Sequence, residues 1–97
     1  MAESIHPIIY RCNDFVYYME ELKGTYFLHV TINRFSPKVW KKMYKVLGKI
    51  QKSYKSPICG YALEESTYKL MKSAGFKETG LNIQLNNGQR RRILCLH

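Results

Sequence analysis

Residues 36–54, SPKVWKKMYKVLGKIQKSY, decide the fold, because they carry the local signals of one long amphipathic helix. Ser36 can cap the N-terminus of this helix, and Pro37 suits its first turn. The sequence therefore predicts a helix from Pro37 to about Tyr54 that buries one side. At about 100° per residue, six apolar side chains fall on that side: Val39, Trp40, Met43, Val46, Leu47 and Ile50.

The other side of this helix is basic. Eight cations and no acid lie between Arg34 and Lys55, and they supply most of the net charge of +9. Such a surface attracts anions, including nucleic acid, an acidic protein, a phosphorylated cofactor or anionic lipid, although a solvated helix face has the same pattern. Because Trp40 falls on the apolar side, we expect no aromatic side chain among the lysines. The candidate anion or nucleic-acid surface consists of Lys38, Lys41, Lys42, Lys45, Lys49 and Lys52.

Three elements are predicted before the long helix. Residues 5–10, IHPIIY, are apolar and partly β-branched, and they indicate a short strand. A helix is expected at about 13–23, because apolar residues recur at helical spacing from Phe15 until Gly24 ends the pattern. Residues 25–32, TYFLHVTI, predict a central strand that is covered on both faces.

The remainder of the chain predicts a strand, a helix and a hairpin. PICGYAL, residues 57–63, is strand-like, and ESTYKLMKSA, residues 65–74, is helical until Gly75 stops it. Asn87 and Gly88 then mark a turn between two strand-like runs. The predicted order is βαβαβαββ. This order indicates an α/β fold whose mixed sheet is parallel through its crossovers and ends in a C-terminal antiparallel hairpin.

Composition adds expectations about compartment and metals. The chain is predicted to form one domain, 1–97, and to be intracellular, because it shows no basic leader and no apolar run long enough to span a membrane. Cys12, Cys59 and Cys95 lack the spacing of a metal site, so no metal is predicted. We expect these three cysteines to be buried free thiols in a reducing compartment.

The junction SAGFKETG, residues 73–80, resembles the C-terminal half of the general N-acetyltransferase (GNAT) superfamily. In that family a helix ends on a glycine–phenylalanine pair, and a second glycine begins the next strand. Gly75, Phe76 and Gly80 match this pattern, and the order of elements fits over about three quarters of the chain. The resemblance implies a small GNAT-like three-layer sheet. The family's hairpin before the central strand is expected to be missing, because Gly24 leads directly into that strand.

The family's acetyl-CoA chemistry depends on further residues. Its glycine-rich turn corresponds here to NRFSPKVW, residues 33–40, which contains a proline and no glycine, so a phosphate cradle is not expected. The position of the family's proton-donating tyrosine falls on Met71, which has no proton to give. If acetyl-CoA does bind, the resemblance implies contacts from Arg34, Ser36 and Lys38.

Three side chains are candidates for catalysis, and each has a structural alternative. Tyr68 lies one turn from the family's tyrosine position. His29 could act as a general base, but a hydrogen-bonded histidine in a core or cleft is the preferred interpretation. Cys59 follows the strand where acyl-transfer folds expose functional groups, but no activating histidine lies beside it in sequence, so a buried thiol is preferred.

The resemblance therefore implies a GNAT-like protein that acts by binding and lacks the family's recognisable acetyl-CoA phosphate loop and catalytic tyrosine. It is similar in this respect to accessory proteins of bacteriophages, some of which are virion components with GNAT-like folds. Because a missing hairpin would expose sheet edge, a protein partner or self-association is expected. The alternatives are a small acetyl-CoA-dependent N-acyltransferase and a nonspecific nucleic-acid binder that uses the lysines.

Overall fold

A computed structural model describes residues 7–97, which form a six-stranded mixed sheet and two helices. The elements are β1 Ile8–Arg11, β2 Phe15–Leu22, β3 Thr25–Ile32, α1 Pro37–Ser53, β4 Ile58–Gly60, α2 Glu65–Ser73, β5 Lys77–Gln84 and β6 Arg90–Leu96. The strand order in the sheet is β1-β2-β3-β4-β6-β5. Neighbouring strands run antiparallel except β3 and β4, which are parallel.

The helix predicted at about 13–23 is wrong, because this segment forms strand β2. Alternate side chains of β2, Phe15, Tyr17 and Met19, are buried in one cluster with α1. Every residue of β2 also pairs with a residue of β3. The hairpin that was expected to be missing is therefore present.

The turn of this hairpin explains the error. Lys23 and Gly24 both have positive φ angles, 52° and 82°, which is the backbone geometry of a two-residue hairpin turn that continues the twist of its strands. Glycine also ends helices in the same left-handed conformation, so Gly24 is compatible with both structures. Pairing with β3, which lies outside the local sequence, decides between them.

The other predicted elements are confirmed, with shifted ends. Strand β1 overlaps the predicted strand at 5–10, of which residues 5 and 6 lie outside the described part of the chain. Ser36 Oγ accepts a hydrogen bond from the amide of Val39 at 3.1 Å and caps α1 as expected. After α2, the amide of Phe76 donates to the carbonyl of Met71 while Gly75 has φ 103°, which is the Schellman cap predicted for a glycine here.

Both helices lie on the same face of the sheet, so within the described residues the predicted three-layer arrangement is wrong. Leu47 of α1 and Met71 of α2 pack in one cluster with Leu94 of β6. The next residue, Cys95, faces the opposite side with Phe27. The crossovers from β3 to β4 and from β4 to β5 advance towards the same edge, and right-handed crossovers then place both helices on one face. Strand β3 is central as predicted, but helices cover only one of its faces.

Two of the cysteines form a disulfide, which corrects the prediction of three free thiols. Cys59 of β4 and Cys95 of β6 are directly paired in the sheet, with Cα atoms 4.0 Å apart, and their sulfur atoms are bonded. Cys12 remains a free thiol. Because 36 positions separate Cys59 from Cys95, only the strand register shows that they meet. The intracellular location therefore remains a prediction, and three free thiols no longer support it.

Candidate functional site

A cleft opens where β3 and β4 diverge. In the described chain the two strands pair only through Tyr26 with Ile58 and Phe27 with Cys59. Strand β3 then continues to Ile32, whereas β4 ends at Gly60. The cleft has a volume of about 380 Å³, and both helices contribute to its walls. A volume of this size suits a small ligand or a few side chains of a partner.

Most of the cleft lining is apolar. The residues with polar side-chain groups are Tyr17, His29, Tyr61, Glu64 and Thr67. At the mouth of the cleft, Leu63 is 63% exposed. The apolar lining residues are Leu28, Val30 and Ile32 of β3, Trp40, Met43 and Leu47 of α1, and Leu70, Met71, Ala74 and Phe76 from α2 and the segment after it.

Gly60 lines the cleft beside Met71. A Cβ atom built on Gly60 would lie 3.0 Å from Cε of Met71 and 3.6 Å from the carbonyl oxygen of Leu28. A larger residue at this position would therefore require the end of the Met71 side chain to shift. On the α1 side, Tyr17 donates a hydrogen bond from its hydroxyl to the carbonyl of Met43 at 3.0 Å, and burial raises the pKa of this phenol.

His29, one of the predicted catalytic candidates, lines the cleft and has a carboxylate partner. Its Nε2 atom lies 2.9 Å from Oε1 of Glu20 on β2, and its ring meets the ring of Tyr61 edge-on at 5.9 Å. Burial, followed by the negative charge of Glu20, raises the pKa of Tyr61. Sequence reasoning missed Glu20 because β2 was interpreted as a helix. In the true register, Glu20 pairs with Phe27 and is diagonal to His29 across the hairpin.

Tyr68, the second catalytic candidate, is engaged elsewhere. Its hydroxyl donates to the carboxylate of Glu78, and it accepts a hydrogen bond from Arg92 at 3.2 Å. Nζ of Lys72 lies 3.6 Å from the same carboxylate. The hydrogen bond from Tyr68, followed by the charges of Arg92 and Lys72, lowers the pKa of Glu78. Tyr68 thus anchors α2 to β5 and β6 instead of pointing into the cleft, where Met71 lies.

Cys59, the third candidate, cannot act as a thiolate nucleophile while it is bonded to Cys95. Cys59 lies inside the short strand β4 and not after a strand as expected, and it is buried as expected. What the sequence could not show is its partner on β6. The disulfide instead fixes β4, one border of the cleft, to the neighbouring strand.

The residues that were expected to contact acetyl-CoA lie at the N-terminus of α1. The helix cap already uses part of the hydrogen-bonding capacity of this segment. The Ser36 hydroxyl accepts from Val39, and Pro37 has no amide hydrogen. Arg34 and Lys38 are exposed, and the backbone amide of Arg34 donates to the carbonyl of Asp14 at 3.2 Å. A row of free amides that could cradle a pyrophosphate is therefore not formed here.

The six lysines of α1 are all exposed, as the helical pattern predicts. We call this surface the lysine face. Among residues 7–97, the salt bridges of lysine and arginine side chains join Lys72 and Arg92 to Glu78, and none involves the lysine face. The expectation of no aromatic side chain beside the lysines is wrong: Tyr44 is 54% exposed, next in sequence to Lys45 and three residues after Lys41.

Across 7–97 no cluster of three or more His, Cys, Asp or Glu side chains could hold a metal ion. No helix among these residues is both long and apolar enough to cross a membrane. No family model, curated protein or solved structure matches the chain.

Proposed function

We propose that this chain is a GNAT-like protein that acts by binding, and that the cleft between β3 and β4 accepts an extended, mainly apolar segment of a protein partner. The observation that carries the proposal is the divergence of these strands beyond Phe27. From Leu28 to Ile32, β3 has a paired neighbour on the β2 side and borders the cleft on the other. An added strand can pair with such an edge and place alternate side chains in the cleft.

The cap of α1 supports binding over acyl transfer. An acyl-CoA site needs several free backbone amides near the phosphates. Pro37 has no amide hydrogen, and the amide of Val39 already donates to the side chain of Ser36. Met71 lines the cleft at the position where the family resemblance implies a proton-donating tyrosine. The proposal includes a role as a bacteriophage accessory or virion protein. The chain would then act inside the host cell or in the virus particle.

Peptide selection tests the cleft directly. A displayed library of random peptides is panned against the folded chain, and enriched peptides are measured by isothermal titration. We expect enriched sequences with apolar side chains at alternate positions, because alternate residues of an extended segment face the same way. An absence of enrichment, or enrichment of sequences without this alternation, would contradict the proposal.

Two exposed leucines provide a matched pair of variants. Leu63 is 63% exposed at the cleft mouth, and Leu81 is 64% exposed on β5. Because both side chains are largely in solvent, either change to aspartate should leave the fold intact. Leu63→Asp should weaken binding of the selected peptides by about tenfold or more, whereas Leu81→Asp should leave it unchanged. Equal effects of both substitutions would show that the peptides bind elsewhere.

The second candidate function is that of a small acetyl-CoA-dependent N-acyltransferase, and the pair of His29 and Glu20 is the observation that favours it. A carboxylate that holds an imidazole beside a cleft is a common arrangement for a general base, which here would accept a proton from the attacking amine. Titration with acetyl-CoA separates the candidates. Binding at micromolar concentration would overturn the binding-protein proposal, whereas no binding at millimolar concentration would exclude the enzyme.

A further inference from the structure

We propose that the lysine face of α1 binds single-stranded nucleic acid, with the lysines contacting phosphates and Tyr44 stacking on a base. The lysine face and Tyr44 are separate from the edge of β3 that borders the cleft. This inference therefore does not depend on the proposed function. Its evidence is the arrangement of charge on α1, the absence of acids from this helix and the position of one exposed aromatic side chain.

The lysines form a row that a strand of phosphates can follow. Positions three or four apart lie on the same side of a helix, and five lysines follow this spacing. At 1.5 Å per residue, the row extends for about 21 Å along α1. Lysine carries a point charge on a flexible stem, so it contacts phosphates without reading bases. The row consists of Lys38, Lys42, Lys45, Lys49 and Lys52.

The charge of the lysine face is not compensated by the described protein. Helix α1 contains no acidic residue, and no ion pair within residues 7–97 involves this face. On α2, Lys72 differs from these lysines, because it is paired with Glu78. Pairs such as Lys41 and Lys45, four residues apart, repel one another and weaken the helix. A bound polyanion would remove this repulsion, so it should raise the melting temperature of the protein.

Tyr44 favours nucleic acid over an acidic protein as the partner. Tyr44 is 54% exposed beside the lysines, and its ring centroid lies 6.3 Å from that of Trp40, which lines the cleft. Exposed aromatic rings within a basic surface are the stacking platforms of proteins that bind single strands. An acidic protein would use the charges but would not need the ring. In duplex DNA the bases are already stacked on one another and are not available to Tyr44.

Fluorescence anisotropy with a labelled thymidine oligodeoxynucleotide of about 12 nucleotides tests the proposal. With four phosphate contacts, binding should weaken about fiftyfold between about 50 and 200 mM salt, because each contact on a single strand contributes about −0.7 to the slope of log K against log salt. No binding at the lower salt concentration would overturn the proposal.

Two charge-matched triple variants locate the surface. Changing Lys41, Lys45 and Lys49 to Glu should abolish binding at low salt. The control changes Lys23, Lys69 and Lys77 to Glu, which alters the net charge by the same amount on other exposed parts of the molecule. The control should weaken binding by no more than about threefold. Equal losses in both variants would mean that overall charge and not the lysine face governs binding.

Tyr44 variants and competing ligands test the role of the ring. Tyr44→Ala should weaken binding by about fivefold or more without changing the salt slope, and Tyr44→Phe should restore it. Poly-glutamate of matched charge and duplex DNA of matched length should both bind more weakly than the single strand. Equal binding of poly-glutamate would identify an acidic protein as the better partner, and equal binding of duplex together with an unaffected Tyr44→Ala variant would overturn the stacking role.

Discussion

Helices α1 and α2 pack on the same face of the sheet, but they are held by different interactions. Among its 17 residues α1 buries five apolar side chains, whereas the nine residues of α2 bury none. Instead, α2 is anchored at its side by Tyr68 and Lys72, which both contact Glu78. Burial holds a helix more strongly than exposed polar contacts do. We infer that α1 belongs to the stable core and that α2 is a weakly held wall of the cleft.

The largest test of this comparison uses one methionine from each helix. Met43 of α1 is 4% exposed, and its replacement by alanine should reduce the free energy of unfolding by roughly 2 to 5 kcal/mol, because it leaves a cavity in the core. Met71 of α2 borders the open cleft, so Met71→Ala should cost no more than about 1 kcal/mol. Urea unfolding measures both values. Equal costs would show that α2 is as deeply packed as α1.

Removal of the disulfide should affect the part of the molecule around α2 more than the part around α1. The bond closes a loop of 36 positions, so replacing both Cys59 and Cys95 by alanine should cost about 2 to 4 kcal/mol. Hydrogen exchange should increase mainly in α2, β4 and β6, and Cys12→Ala serves as the control because Cys12 is free. Uniform acceleration across α1 and α2 would contradict the distinction between the helices.

The two N-terminal caps offer a smaller comparison. Ser36 makes a side-chain hydrogen bond to the first turn of α1, whereas Glu64, the cap residue of α2, makes none. Ser36→Ala should therefore cost about 1 kcal/mol, and Glu64→Ala no more than a few tenths of a kcal/mol from its interaction with the helix dipole. Thermal unfolding of the two variants checks this order. A larger loss of stability from Glu64→Ala than from Ser36→Ala would mean that α2 depends on its N-terminal cap residue more than its geometry indicates.

The smallest effect concerns pH. The hydrogen bond from Tyr68, with help from Arg92 and Lys72, lowers the pKa of Glu78 in the folded protein. A lowered folded pKa contributes stability that is present above the unfolded carboxyl pKa and is lost as pH falls through the folded value. Acidification below about pH 4 should therefore reduce the protection of amides against exchange, relative to the unfolded chain at the same pH, in α2 before α1. Glu78→Gln should remove this pH dependence, and an unchanged profile would show that Glu78 does not anchor α2.

The hairpin of β2 and β3 shows why part of the fold could not be predicted. The stretch FVYYMEEL places apolar residues at helical spacing through Phe15, Val16 and Met19, and at strand spacing through Phe15, Tyr17 and Met19. Strand pairing with β3 and burial against α1 select the second pattern. The same error hid Glu20 as the partner of His29, because a residue on a helix would not lie across a hairpin from it.

The cleft was also beyond the reach of the sequence, although two of its lining residues had been singled out for other reasons. The sequence identified strands at 25–32 and 57–63 and named Met71 and His29 as positions of interest. It could not show that β4 ends at Gly60 while β3 continues to Ile32, because that difference depends on strand pairing across the sheet.

Local chemistry in the sequence by itself determined α1, its cap at Ser36, its lysine face, the glycine that ends α2 and the C-terminal hairpin. These features depend on residues within a few positions of one another, so spacing and residue type are sufficient to predict them. Only the tertiary structure decided that β2 is a strand, that Cys59 meets Cys95 and that a cleft separates β3 from β4. Each of these depends on the register of segments distant in sequence, which is set by burial in the common core and not by local preference.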